Sequence, residues 1–268
     1  MRGLVFIAGL AWALSQVPAL AADVPAGTQL APDPDLERPE RTYQSCLLLT
    51  AKQPDKAIEL ASKWIVLGGG EAARHCQALA LIALKDYGEG ATRLEELAKA
   101  SKQAPLVRAN MLAQAGQAWL LQDEPSRAYA AQSAALIIVP QGTAQHVELL
   151  LDRAGTLADA GKYDEVLNDV DAALKIQPNN AEAIAFRASA FRSMGKIDDA
   201  MAEAERAVGI APDNVAALLE RGNLYRLKRR LPEARKDWLH ILEVDPDSAA
   251  ADAARTNIEH MDVDTRAR

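Results

Sequence analysis

Between residues 147 and 248 small and apolar residues return to the same places every 34 residues. Three blocks, 147–180, 181–214 and 215–248, align without a gap and close on "QPNN", "APDN" and "DPDS". Position 8 of each block holds Ala154, Ala188 and Gly222, and position 20 holds Val166, Ala200 and Ala234. Position 11 holds Leu157, Phe191 and Tyr225, and position 27 holds Ala173, Ala207 and Ile241. Apolar spacing of this kind predicts two amphipathic helices per block. Gly161 and Gly195 mark the tight turn between them. Pro178, Pro212 and Pro246 stop the second helix, because proline cannot continue a helical hydrogen-bond ladder. A hairpin with small residues at its crossing leaves one apolar face bare, and stacking on a neighbour covers it.

The blocks resemble tetratricopeptide repeats, whose period and signature they share. Block 215–248 carries the match most fully, with Leu218, Gly222, Tyr225, Ala234, Trp238 and Pro246 at the signature places. Block 109–142 fits as well, through Leu112, Gly116, Trp119, Ala128, Ala135 and Pro140, ahead of an insertion at 143–146. A weaker block at 72–104 rests on Ala91 and Ala98, and the stretch 42–68 reads as two helices broken at Pro54. The resemblance implies an all-α fold, a right-handed α-solenoid of about six stacked antiparallel hairpins. The helix after Ser248, with Ile258 and Met261 on one face, is the C-terminal capping helix such stacks need. The expected organisation is degenerate hairpins at 41–104, a repeat plus insertion at 105–146, three in-register repeats at 147–248, a cap at 249–262 and a tail at 263–268.

One charge pair repeats with the blocks. Position 7 holds Arg153, Arg187 and Arg221, and position 23 holds Asp169, Glu203 and Asp237. In a hairpin turning near position 15, both lie about eight residues from the turn, roughly 12 Å at helical rise, and so face each other. Block 109–142 has Ala115 and Ala131 there, and block 72–104 has Ala78 and Leu94, so the charges come and go together. The expectation is an Arg–carboxylate bridge within each hairpin. The rival is an anion-binding ladder of arginines.

Charge and termini narrow the function. A net charge of −7 with no basic stripe argues against nucleic acid. Arg2, the apolar run Leu4–Leu14, Pro18 and then Ala19-Leu20-Ala21 have the layout of a secretory signal peptide at 1–21, cleaved near Ala21 or Ala22. The run is too short to span a bilayer, which takes about 20 residues. The expectation is therefore export to a periplasm, with no membrane insertion after cleavage. Residues 22–40, with Pro25, Pro32, Pro34 and Pro39 and no hydrophobic period, read as a flexible Pro-rich linker. In an oxidising compartment Cys46 and Cys76, on neighbouring first helices of stacked hairpins, are expected to form a disulfide. Two buried thiols are the alternative.

Candidate chemistry is sparse. The four histidines lack a second ligand at helical spacing, and "LGGGEAARH" lacks the lysine and hydroxyl of a phosphate loop. No nucleophile motif stands out, so neither an enzyme nor a cofactor is expected. The resemblance instead implies an inner surface lined by the first helix of each hairpin at positions 2, 5, 9, 12 and 13. Among its polar members, Gln117, Glu148, Asp159, Glu182, Ser189, Arg192, Asn223 and Arg226 are the candidate partner-binding residues. Arg192 and Arg226, with Asn223 and Ser189 near them, would grip a carboxylate or the carbonyls of an extended peptide. The function implied is an exported adaptor holding another protein or peptide in a cell-envelope assembly. Alternatives are a self-associating structural subunit, or a small-ligand-binding or catalytic protein built on the solenoid.

Overall fold

The computed structural model describes residues 39–266, with side chains through 262. The signal peptide expected at 1–21 and all but the end of the linker lie outside the described residues. Every described element is a helix. The chain divides into two compact units that meet in sequence between Gln141 and Gly142.

The first unit holds α1 (Pro39–Lys52), α2 (Pro54–Val66), α3 (Gly70–Ala83), α4 (Tyr87–Ala100), α5 (Pro105–Leu121) and α6 (Pro125–Ile138). Each helix packs on the next, and α1 also packs on α3. Tyr43, Cys46, Trp64, Leu94, Met111 and Trp119 are among the buried residues of its core. The second unit holds α7 (Ala144–Asp159), α8 (Tyr163–Ile176), α9 (Ala181–Ser193), α10 (Ile197–Ile210), α11 (Val215–Leu227), α12 (Leu231–Val244) and α13 (Ala249–Arg266). Consecutive helices pair antiparallel, and the first helices of successive hairpins, α7, α9, α11 and α13, also touch one another. Each unit is thus a stack of hairpins, three in the first and three plus a final helix in the second. The all-α solenoid expected from the repeat is the fold observed.

Each turn reuses one local device. The residue at position 15 takes the left-handed conformation in four hairpins, Asp123, Gly161, Gly195 and Arg229, and Lys85, at position 14 of block 72–104, does so in a fifth, with φ between 60° and 77°. The next backbone N–H then donates back to the carbonyl of position 11, at 2.9 Å in Lys162→Leu157, Lys196→Phe191 and Arg230→Tyr225. That is the 6→1 bond of a Schellman ending. Arg229 occupies with a side chain the place that glycine fills in the two preceding blocks. The block closure carries a second device that sequence reading passed over. The last residue of each block caps the next helix: Asn180 accepts from the Ala183 N–H, Asn214 from Ala217 and Ser248 from Ala251. The proline stops one helix, and two residues later a cap starts the following one.

Packing explains the small positions. Ala154, Ala188, Ala200, Ala234, Ala173, Ala207 and Ile241 are all fully buried. A Cβ on Gly222 would stand 2.5 Å from the Trp238 Nε1, so glycine there is a steric requirement. Two boundaries differ from expectation. Helix α1 starts at Pro39, inside the span read as linker, because proline at the first helical position needs no N–H partner. Helix α13 continues to Arg266, past the 263 start expected for a frayed tail. It seats Ala251, Ala254 and Met261 against the stack, with Ile258 half-buried.

Candidate functional site

The repeated charge pairs lie inside the second unit. Arg153 on α7 donates from Nε and Nη2 to the two oxygens of Asp169 on α8, at 2.8 and 2.6 Å. Arg221 on α11 makes the same two-pronged bond to Asp237 on α12, both at 2.7 Å. Arg187 on α9 differs: it donates to Glu203 at 2.9 Å and also reaches back to Asp171 of the preceding hairpin at 3.2 Å. All three arginines thus have their acids, and Asp169 and Asp237 are buried. In the first unit the α5–α6 hairpin holds buried Ala115 and Ala131 at the same places. In α3–α4 the turn at Lys85 shifts the register by one, so Gln77 and Arg93 face each other there and hydrogen-bond, where Ala78 and Leu94 were expected. The pair is an intra-hairpin brace that substitutes for apolar packing at the crossing.

The face formed by α7, α9 and α11 gathers most of the polar residues expected to line the inner surface. Gln117 stands on α5 and so belongs to the first unit. Glu148 and Glu182 occupy the same place on successive first helices, α7 and α9, and both are half-buried. Burial raises the Glu148 carboxyl above its ordinary range, and the neighbouring Glu182 carboxylate raises it further. Burial likewise raises Glu182. No described cation pairs with either. Asp159, at the far end of α7, is exposed.

The cationic end of this face is arranged differently from expectation. Arg192 on α9 forms an ion pair with Glu220 on α11, and Glu220 is buried. Arg192 Nη2 also donates to Ser189 Oγ at 3.3 Å. The Asn223 side-chain carbonyl accepts from Asn257 of α13 at 3.0 Å. Arg226 alone of the expected cluster is exposed. The carboxylate grip read from sequence therefore does not assemble: Glu220 already supplies the carboxylate, and the cap engages Asn223. Sequence reading missed Glu220 because it lies at position 6, where the other two blocks carry Asp152 and Phe186.

In the first unit Cys46 on α1 and Cys76 on α3 form a disulfide, with Cα atoms 6.2 Å apart. Beside it the Tyr43 hydroxyl and His75 Nδ1 lie 2.7 Å apart, and His75 Nε2 and Gln114 Oε1 lie 2.8 Å apart. Oε1 can only accept, so Nε2 carries the hydrogen and Nδ1 accepts from Tyr43. Burial holds His75 below the ordinary imidazole range, against the opposing hydrogen bond from Gln114. This chain runs across three first helices and carries no periodic signal in the sequence.

A tetratricopeptide repeat family model matches residues 181–214, the α9–α10 hairpin. No curated protein matches the chain. Among solved structures, the APC/C hetero-tetramer Cut9–Hcn1 superposes with a TM-score of 0.57 at 14% identity, over 84% of this chain and 43% of that one. MamA from Desulfovibrio magneticus RS-1, from its residue 41 to the end, gives 0.51 at 18% identity, over 66% of this chain and 97% of that one. An RS-1 MamA double mutant gives 0.51 at 16% identity, over 66% and 94%. These likenesses concern the fold. The α9–α10 hairpin is thus matched as a tetratricopeptide repeat, and the likenesses show a stack of helical hairpins of the same fold.

Proposed function

We propose that this protein is a non-catalytic adaptor that holds another protein or an extended peptide on the face formed by α7, α9 and α11. The observation that carries this reading is the Glu148–Glu182 pair. Two carboxylates on adjacent first helices are partly desolvated, Glu182 raises Glu148 further, and no described cation pairs with either. A partner bringing a lysine or arginine would relieve both costs, since a desolvated carboxylate gains most from a charge-assisted hydrogen bond. Arg192, neutralised by Glu220, would not repel it. The setting proposed is an exported, cell-envelope assembly, supported by the N-terminal signal pattern in the sequence and by the Cys46–Cys76 disulfide. N-terminal sequencing of the protein recovered from bacterial periplasm tests that part: a start near Ala22 or Asp23 supports export, and an intact Met1 in the cytoplasm refutes it.

Fluorescence anisotropy tests the binding. Extended peptides identical except for Lys/Arg or Glu at alternate positions are titrated against the full chain and the Glu148→Gln/Glu182→Gln variant. The basic peptide should bind, and the double variant should weaken it about 10-fold or more, roughly 1.4 kcal/mol. No binding, or binding indifferent to the two glutamates, removes this reading. Light scattering addresses self-assembly, because a monomer at micromolar concentration leaves the face free for a different partner.

A further inference from the structure

The first unit holds α1 by unusual means. The buried residues of α1 are Thr42, Tyr43, Cys46 and Thr50, and its Leu48 is 64% exposed. No leucine, isoleucine, valine, phenylalanine or tryptophan of α1 is fully buried. Its hairpin partner α2 is anchored differently: Trp64 is 3% exposed, and its indole comes within 2.6 Å of where a Cβ on Gly69 would stand. A 14-residue helix is marginal without packing of its own. Only Gln53 separates α1 from α2, and Pro54 behind it keeps the two helices from fusing. Apolar packing of α1 on the core is limited to the Tyr43 ring and the half-buried Leu47, and beyond these its ties to the body of the unit are the disulfide to α3 and the Tyr43–His75 hydrogen bond. At the other end of the chain the terminal helix α13 is held without covalent help, by buried alanines, Asn257–Asn223 and the Arg235–Asp262 ion pair.

We infer that the Cys46–Cys76 bond is a redox latch on α1. Closed, it keeps α1 docked on α3; opened to two thiols, it lets α1 leave about Gln53 while α2 to α6 remain stacked. Closing transfers an electron pair and two protons from the two thiols to an oxidising disulfide, which departs as a dithiol. Opening is the reverse exchange, with a dithiol entering and leaving as a disulfide. Both cysteines are fully buried, so a reductant gains access only after α1 moves. The latch therefore opens slowly once set and preserves the redox state met during folding. The Tyr43 hydroxyl leaves with α1, and His75 loses the hydrogen bond at Nδ1. The inference concerns the first unit alone and stands or falls apart from the Glu148–Glu182 reading.

Hydrogen–deuterium exchange on the full chain tests it, comparing the oxidised protein, the protein reduced and held in dithiothreitol, and the Cys46→Ala/Cys76→Ala variant. A closed loop of 30 residues corresponds to about 10²–10³-fold in the chain-entropy treatment. Amides of 41–52 should exchange faster in both open forms, by up to about that factor, because α2 within the loop stays folded. Peptides from α5, α6 and α7 to α12 should keep their protection, which also shows that the variant folds. As a second readout, the His75 ring resonance should titrate in the open forms. Unchanged protection over 41–52 overturns the latch, because packing then suffices to hold α1. Equal loss through α5 and α6 overturns it too, since the bond would then staple the whole unit.

Discussion

Gly222 and Gly155 sit in the interiors of equivalent helices, α11 and α7, and alanine should act on them in opposite directions. In a helix interior, replacing glycine by alanine removes backbone freedom from the unfolded chain and stabilises by about 0.5–1 kcal/mol. At Gly155 the added Cβ would stand 3.9 Å from the Cε1 and Cζ atoms of Phe186, an ordinary contact. Gly155→Ala should therefore stabilise by roughly that full amount. At Gly222 the Cβ would stand 2.5 Å from Trp238 Nε1, 2.8 Å from Cδ1 and 3.2 Å from Cε2. The indole is fully buried at the hairpin crossing, so relief requires moving α11 against α12. Overpacking of this kind costs about 1–3 kcal/mol, which exceeds the propensity gain. Gly222→Ala should lose about 1–2 kcal/mol net. Urea titrations of both variants, followed by circular dichroism, give the two signs. If Gly222→Ala proves as stabilising as Gly155→Ala, the close crossing claimed for position 8 is wrong.

Two further outcomes follow from the same packing. Arg221→Leu leaves the Asp237 carboxylate, 5% exposed, without its cation and should destabilise by about 3–5 kcal/mol. Adding Asp237→Leu should recover most of that loss, and a single variant as stable as the double would reject the brace. The pH dependence of the first unit has a sign set by His75. Its imidazole is held below the ordinary value of about 6.5, so the unfolded chain takes up the proton more readily. That contribution to stability is complete above about 6.5 and is lost as pH falls from there toward the folded value. Melts of the oxidised protein should weaken on acidification through that window, and His75→Gln should flatten the slope. An unaltered slope would place the acid sensitivity elsewhere.

What the sequence determined by itself is whatever occurs within one hairpin. Turns, helix spans and the 7–23 charge brace depend on contacts between residues at most a block apart, and three blocks repeat them. Gly161 and Gly195 mark a left-handed turn; Arg153 and Asp169 appear and vanish as a pair. The Asn180 and Asn214 caps are equally local, two residues after each proline. Tertiary structure alone decided the contacts between hairpins. Arg192 meets Glu220 across 28 residues, Asn223 meets Asn257 of the cap, and Tyr43, His75 and Gln114 join three helices. Each occurs once, so no periodicity announces it. Each also depends on how far one hairpin turns on the next, a quantity fixed by side-chain packing over the whole stack. The break between Gln141 and Gly142 is of that kind. The insertion at 143–146 interrupts the 34-residue register there, yet only the folded chain shows that the core divides at that point. The functional face changed character for the same reason. Sequence placed an arginine at the right address, and the neighbouring hairpin supplied the buried glutamate that cancels it.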